Sequence, residues 1–170
     1  MQLLDINKSR YRKHLSIVIV ALIISLMSLA LLLGQGFIAL LSSPEGDNFV
    51  FNLAGVVMAA VLCMAVVWSV RSHHFMSEVV YVWQLKQVLN RIYRKHRKIE
   101  QAAFEEDNKE AMIILNFYYQ ASMQLYKLDD NTITLESLQE RMDKLENHLQ
   151  AHSTVVSPDD YSEELLINFS

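Results

Sequence analysis

From Arg71 to Ser170 the sequence contains no glycine and a single proline, Pro158. Phosphate-cradling loops, dinucleotide folds and nucleophile elbows need glycine where the backbone approaches a ligand or adopts positive φ, so this stretch is a poor host for those enzyme classes. One cysteine, Cys63, excludes an intrachain disulfide and leaves a free thiol. No Asp, Glu, Lys, Arg or His falls within two long runs, Leu15 to Leu41 and Phe49 to Val70. Ion and proton paths through a bilayer are built from such residues, so these runs do not read as a conduit. The loop between them, residues 42–48, has no Lys or Arg.

What is present in the first 70 residues is hydrophobicity. The two runs hold 27 and 22 uncharged residues, and a hydrocarbon core of about 30 Å needs about 20 residues of helix. They predict a transmembrane hairpin over 15–70, with spans 15–41 and 49–70. A cleaved signal peptide does not fit, because its apolar region is shorter and ends at a small-residue site of the A-x-A kind. Lys8, Arg10, Arg12 and Lys13 precede the first span and Arg71 follows the second. Basic residues are retained on the cytoplasmic side, so both termini are expected there and the loop 42–48 outside. Gly34 and Gly36 are expected to interrupt the end of the first span, leaving the remainder to tilt or lie near the interface. The turn formers Ser43-Pro44-Glu45-Gly46-Asp47-Asn48 make the spans antiparallel neighbours. Ala21, Ser25 and Ser28 form one small-residue stripe and Gly55, Ala59 and Cys63 another, marking helix contacts either within the chain or in a dimer. Trp68, Tyr81 and Trp83 read as headgroup anchors.

The charge balance shifts along the chain: residues 1–14 are a basic cytoplasmic N-terminus, 71–151 a cytoplasmic helical domain and 152–170 an acidic tail. Three helical patterns fill the domain. The first runs from about Phe75 to Ala103, with Val82, Leu85, Val88, Leu89, Ile92 and Ile99 on one face, and is placed to continue from the second span. The second starts at Asp107 or Asn108 as N-cap and runs to Lys127; it is apolar over most of its surface and reads as the central helix. The third, capped by Thr134 and ending near Ala151, carries Leu135, Leu138, Met142, Leu145 and Leu149 as a narrow seam, either folded onto the central helix or shared in a dimer. In the tail, Ser157-Pro158-Asp159-Asp160 is a helix start, with Tyr161, Leu165 and Phe169 along one side. The fold class is therefore all-α: a transmembrane helical hairpin followed by a bundle of about three helices.

Arg91, Arg94, Lys95 and Lys98 share one face of the first helix with Arg97 beside it, a solvated face or a contact for anionic lipid or a partner. Nucleic acid fits less well, since no basic groove with stacking platforms accompanies the charge. The acidic tail is also placed to cover this face. His96 falls among apolar positions, where a core histidine with one hydrogen bond is the ordinary outcome. His148 and His152, at i and i+4, could hold a metal with Asp159 or Asp160, but Leu149 stands where a zincin needs glutamate, so a polar helix end is preferred. His73-His74 reads as juxtamembrane. His96, Tyr118 and Asp129 are scattered rather than a catalytic set. No catalytic residue, cofactor or metal is assigned.

The motifs Tyr11-Arg12, Gly46-Asp47-Asn48-Phe49 with Asn52-Leu53 and Gly55, Val80-Tyr81-Val82-Trp83-Gln84-Leu85-Lys86, Asn116-Phe117-Tyr118 and Leu128-Asp129-Asp130-Asn131 resemble those of a family of bacterial two-span inner-membrane proteins whose shared domain has no assigned function. The resemblance covers most of the chain up to about Ala151 and implies two spans and a helical cytoplasmic part, and nothing catalytic. The expected function is a non-enzymatic inner-membrane protein whose helices bind a partner or scaffold an assembly. An accessory subunit of a membrane enzyme or transporter, and an anionic-lipid sensor on the 91–98 basic face, are the alternatives. The expected partners are the lipid bilayer and a protein, either another chain or a second copy.

Overall fold

A computed structural model of the protein describes residues 2–41 and 48–169, and the described residues are helical with no strand. Six α-helices follow in order: α1 (Lys8–Leu41), α2 (Phe49–Val70), α3 (Ser77–Tyr93), α4 (His96–Glu105), α5 (Lys109–Leu128) and α6 (Leu135–Ala151). Short 3-10 turns cover His74–Met76, Pro158–Asp160 and Glu163–Phe169. The turn expected at Ser43 to Asp47 lies outside the described residues. The chain divides into two compact units, one Ser9–Val80, the other joining the residues up to Lys8 with those from Tyr81 onward.

In the first unit, α1 and α2 are long and apolar enough to cross a membrane. Met27, Leu31, Leu32 and Leu40 on α1 are each more than 60% exposed, which a hydrocarbon solvent accommodates and water does not. The small side of α2 is buried: Gly55, Ala59 and Cys63, four residues apart, fall on one stripe. Gly55 meets Gly34 so closely that a Cβ on Gly55 would lie 2.5 Å from the Gly34 nitrogen and 3.1 Å from the Ala30 carbonyl oxygen. Gly34 is thus a contact residue rather than an interruption, and α1 stays helical through Gly36 to Leu41. A helix keeps its hydrogen bonds across glycine at a cost of only about 1 kcal/mol. Ala21, Ser25 and Ser28 are exposed; Ala21 and Ser25 line, with Cys63, Val66 and Met76, an open cleft of about 600 Å³.

The helix does not run straight on from α2. His73 closes a 3-10 turn by accepting the Phe75 N–H on Nδ1 at 3.2 Å, while Arg71 lies 3.5 Å over the Trp68 ring. Glu78, only 6% exposed, receives Arg10 Nε at 2.6 Å, and the His14 ring lies 4.0 Å from that of Phe75. A buried carboxylate needs such a charged donor, so this pair ties the start of α1 to the start of α3.

In the second unit α5 is the central element, packed by α4, by α6 and by the tail. Its Asn108 caps it, accepting the Ala111 N–H at 3.0 Å, and Ile114, Leu115, Phe117 and Ala121 are fully buried. The leucine seam of α6 folds onto α5, with Leu138 and Leu145 buried. The expected single helix from Phe75 to Ala103 is two helices, parted at Arg94-Lys95, where the Lys95 N–H bonds to Ile92 rather than to Arg91. Neither proline nor glycine marks this break, and it lets Ile92 and Ile99 both reach the core. Tyr81, expected at the headgroups, is buried as well, and its hydroxyl accepts the Leu4 N–H at 2.9 Å.

Helices commonly end in a left-handed residue, usually glycine. With no glycine available, α4, α5 and α6 are followed by Asp107, Asp130 and Ser153 at φ 51°, 56° and 49°. The N–H groups of Asn131 and Thr154 then close on the carbonyls of Tyr126 and Leu149 at 2.9 Å.

Candidate functional site

Three groups of polar residues stand out on the helical unit. The first is the basic segment. The break at Arg94-Lys95 disperses the single basic face that a continuous helix would carry: Arg91 and Arg94 leave the end of α3, while Arg97 and Lys98 sit on the first turn of α4. The tail then takes two of the five charges. Arg91 donates from both terminal nitrogens to Glu163 at 2.8 and 2.9 Å, and Lys95 Nζ donates to the Leu166 carbonyl at 2.8 Å. Arg94, Arg97 and Lys98 are exposed.

The tail reaches this position because its own sequence shapes it. Ser157 and Asp160 form a reciprocal capping box around Pro158, which turns the chain back over α5. Tyr161 then stacks on Phe117 with ring centres 4.1 Å apart, and burial raises its hydroxyl to a pKa of about 12. The last turns are 3-10, with side chains repeating every three residues, so Leu166 and Phe169 are buried and Leu165, expected beside them, is only half-buried. At the opposite end of α5 the N-terminal residues are bound: Gln124 donates to the Leu4 carbonyl, and Lys8 pairs with Asp130. Sequence patterning gave no sign of this strap.

The second group surrounds His96. Its ring lies edge-on to Tyr118 with centres 5.2 Å apart, and Nδ1 is 3.6 Å from a Glu100 oxygen. Burial lowers its pKa below the ordinary 6.5, opposed by Glu100 and reinforced by Arg141. Tyr119 beside it is pushed up to about 12, chiefly by burial. Of the scattered candidates, His96 and Tyr118 meet, but Asp129 does not join them. It is paired with Lys86 at 2.9 Å, and eleven residues of helix place it about 16 Å along α5 from Tyr118. No acid, base and nucleophile converge here.

The third group was only half visible in the sequence. His148 and His152 do present their Nε2 atoms to one point, but the carboxylate that faces them is Asp107, at the corner between α4 and α5, with Oδ1 3.0 Å from His148 and 3.3 Å from His152. Asp159 and Asp160, expected as oxygen donors, belong instead to the capping region of the tail. Asp107 is 41 residues from His148, and no spacing rule links the two. Its adjacency to the Asn108 cap is the one sequence cue. Among the described residues this is the cluster with the donor atoms to hold a metal.

No curated protein and no solved structure matches the chain. A family described as a protein of unknown function, DUF3087, matches residues 1–166, and the chain belongs to it.

Proposed function

We propose that this is a non-enzymatic helical protein anchored in the inner membrane by α1 and α2, which presents its second unit to a protein partner at the cytoplasmic face. The observation that carries the anchor is the composition of that unit. Residues before α1 and after α2 pack together, with Leu4 held by Tyr81 and Gln124, which supports a chain that returns to the side from which it entered. Two crossings satisfy this, and the basic residues flanking them favour the cytoplasm for that side.

Partner binding is supported by what the helical unit leaves outside. Trp83, Tyr93, Ile133 and Ile167 are exposed, and aromatic residues such as the first two are enriched in protein interfaces. Lipid sensing by the basic segment has less support, because Arg91 and Lys95 already bind the tail. The test has two arms. A reporter inserted at Gly46 should respond as external and one at the C-terminus as cytoplasmic; a cytoplasmic Gly46 overturns the topology. Photo-crosslinking residues at Trp83 and Tyr93 should give discrete adducts in native membranes, while the same group at buried Leu85 gives none. Absence of adducts from every exposed position overturns the partner reading.

A further inference from the structure

We propose that Asp107, His148 and His152 form a binding site for a divalent transition-metal ion, zinc being the best match, that fastens the α4–α5 corner to the end of α6. The three donor atoms lie within 4.8 Å of one another. Metal–nitrogen and metal–oxygen bonds of about 2.0–2.2 Å set at tetrahedral angles place neighbouring ligand atoms about 3.3 Å apart. The two nitrogen–oxygen separations, 3.0 and 3.3 Å, have that length. The remaining pair, the two imidazole nitrogens, closes by small side-chain rotations on one helix face, since residues four apart are neighbours.

The hydrogen bonding of the histidines points the same way. Nδ1 of His152 lies 2.9 Å from the His148 carbonyl, an acceptor only, so Nδ1 carries the proton and donates. Neutral His152 then turns a bare Nε2 lone pair toward a carboxylate oxygen. Two lone pairs at 3.3 Å repel unless a proton or a cation lies between them. A backbone carbonyl that fixes the distal nitrogen is also the usual outer-shell partner of a metal-ligating histidine. Nε2 of His148 is buried and makes no in-line hydrogen bond, although Asp107 Oδ1 is 3.0 Å away. Phe104 lies edge-on to the His148 ring at 5.1 Å and restricts its rotation. The Lys144 ammonium sits over the ring of Phe104, 4.2 Å from its centre.

Two imidazoles and one carboxylate supply nitrogen and oxygen ligands suited to zinc and leave a fourth position for water. Asp107 stands at the left-handed residue after α4, His148 in the last turn of α6 and His152 at its C-cap, so an ion there would join the two ends of the helices that flank α5.

The experiment uses the full chain in detergent, purified through a tag without histidine, stripped with chelator and titrated with Zn²⁺ or Co²⁺ alone. The expected result is one ion per chain, a rise in thermal midpoint on adding Zn²⁺, and the intense visible absorption of tetrahedral Co²⁺. Asp107→Asn and His152→Gln should each weaken binding at least tenfold, and His74→Gln should leave it unchanged. Melting of each variant in chelator, compared with the parent in chelator, separates loss of the ion from loss of fold. No Zn²⁺-dependent shift in the parent chain, or equal binding by folded Asp107→Asn and His152→Gln chains, overturns the proposal.

Discussion

Gly55→Ala tests the contact between α1 and α2 with a single methyl group. The new Cβ would stand 2.5 Å from the Gly34 nitrogen and 2.7 Å from its Cα, where ordinary contact is 3.4–4 Å. These are backbone atoms of a continuous helix, so no side chain can rotate away, and the helices must separate by about 1 Å. Overpacking of this kind costs about 1–3 kcal/mol, and a gap of 0.5–1 Å removes about a quarter to a half of each neighbouring dispersion contact. Replacing a helical glycine returns only about 0.5–1 kcal/mol of backbone entropy, so the clash wins. Cys63 reports the outcome from within: it is buried on the same stripe, two helical steps of four from Gly55. Its reaction with a membrane-permeant maleimide, normalised to the rate in denaturing detergent, should rise by a factor of up to about 60, for a net cost of up to about 2.5 kcal/mol at 1.4 kcal/mol per tenfold. Gly36→Ala is the control, because nothing lies within 4 Å of its Cβ, and it should leave labelling equal or slower. Equal Cys63 rates in the Gly55→Ala chain and the parent would refute the close approach.

Further tests address the helical unit. Ser153→Gly should raise its unfolding free energy by about 1 kcal/mol, because a left-handed φ costs an L-residue about 1–2 kcal/mol and glycine almost none; denaturant titration in detergent measures this. Tyr161→Ala should cost about 3–5 kcal/mol, the usual range for a buried aromatic, and expose the tail to protease between Ala151 and Pro158; an unchanged digestion pattern would show that the stacking on Phe117 does not hold it. His96 has a folded pKa below its ordinary 6.5, so its contribution is complete above pH 6.5 and declines as pH falls through the lowered value, where the unfolded chain takes up the proton first. The unfolding midpoint should therefore drop between pH 7.5 and 5, and drop less in His96→Gln.

Local signals in the sequence correspond well to local structure. Asn108 caps α5 and Ser157 with Asp160 closes the tail turn, each through bonds spanning three residues or fewer, whereas Thr134 stands at the start of α6 but its side chain makes no cap bond. The apolar wrapping of α5 announced its central place, since a helix with one narrow polar stripe must be covered on several sides. Features set by distant contacts were not legible. The break at Arg94-Lys95 carries no proline or glycine, and follows from the core positions that Ile92 and Ile99 both take. With no glycine after Arg71, nothing in the sequence marks Asp107, Asp130 and Ser153 as the residues that adopt left-handed backbone. A 3.6-residue period aligns Leu165 with Tyr161 and Phe169, but the chain takes three residues per turn there and buries Leu166 instead. Asp107 joined the two histidines only through the fold.

The strap formed by residues 2–8 bears on the order of events during synthesis. Leu4 is made before its partners Tyr81 and Gln124, which emerge only after both apolar helices. The strap therefore waits, unpaired, while about 120 residues are added, and its closure entropy grows only slowly with that length. A fragment beginning at Arg71, the natural choice for a soluble preparation, would lack the strap altogether. Tyr81 and Gln124 would be left without it at that end of α5, and such a fragment should open there first under hydrogen exchange.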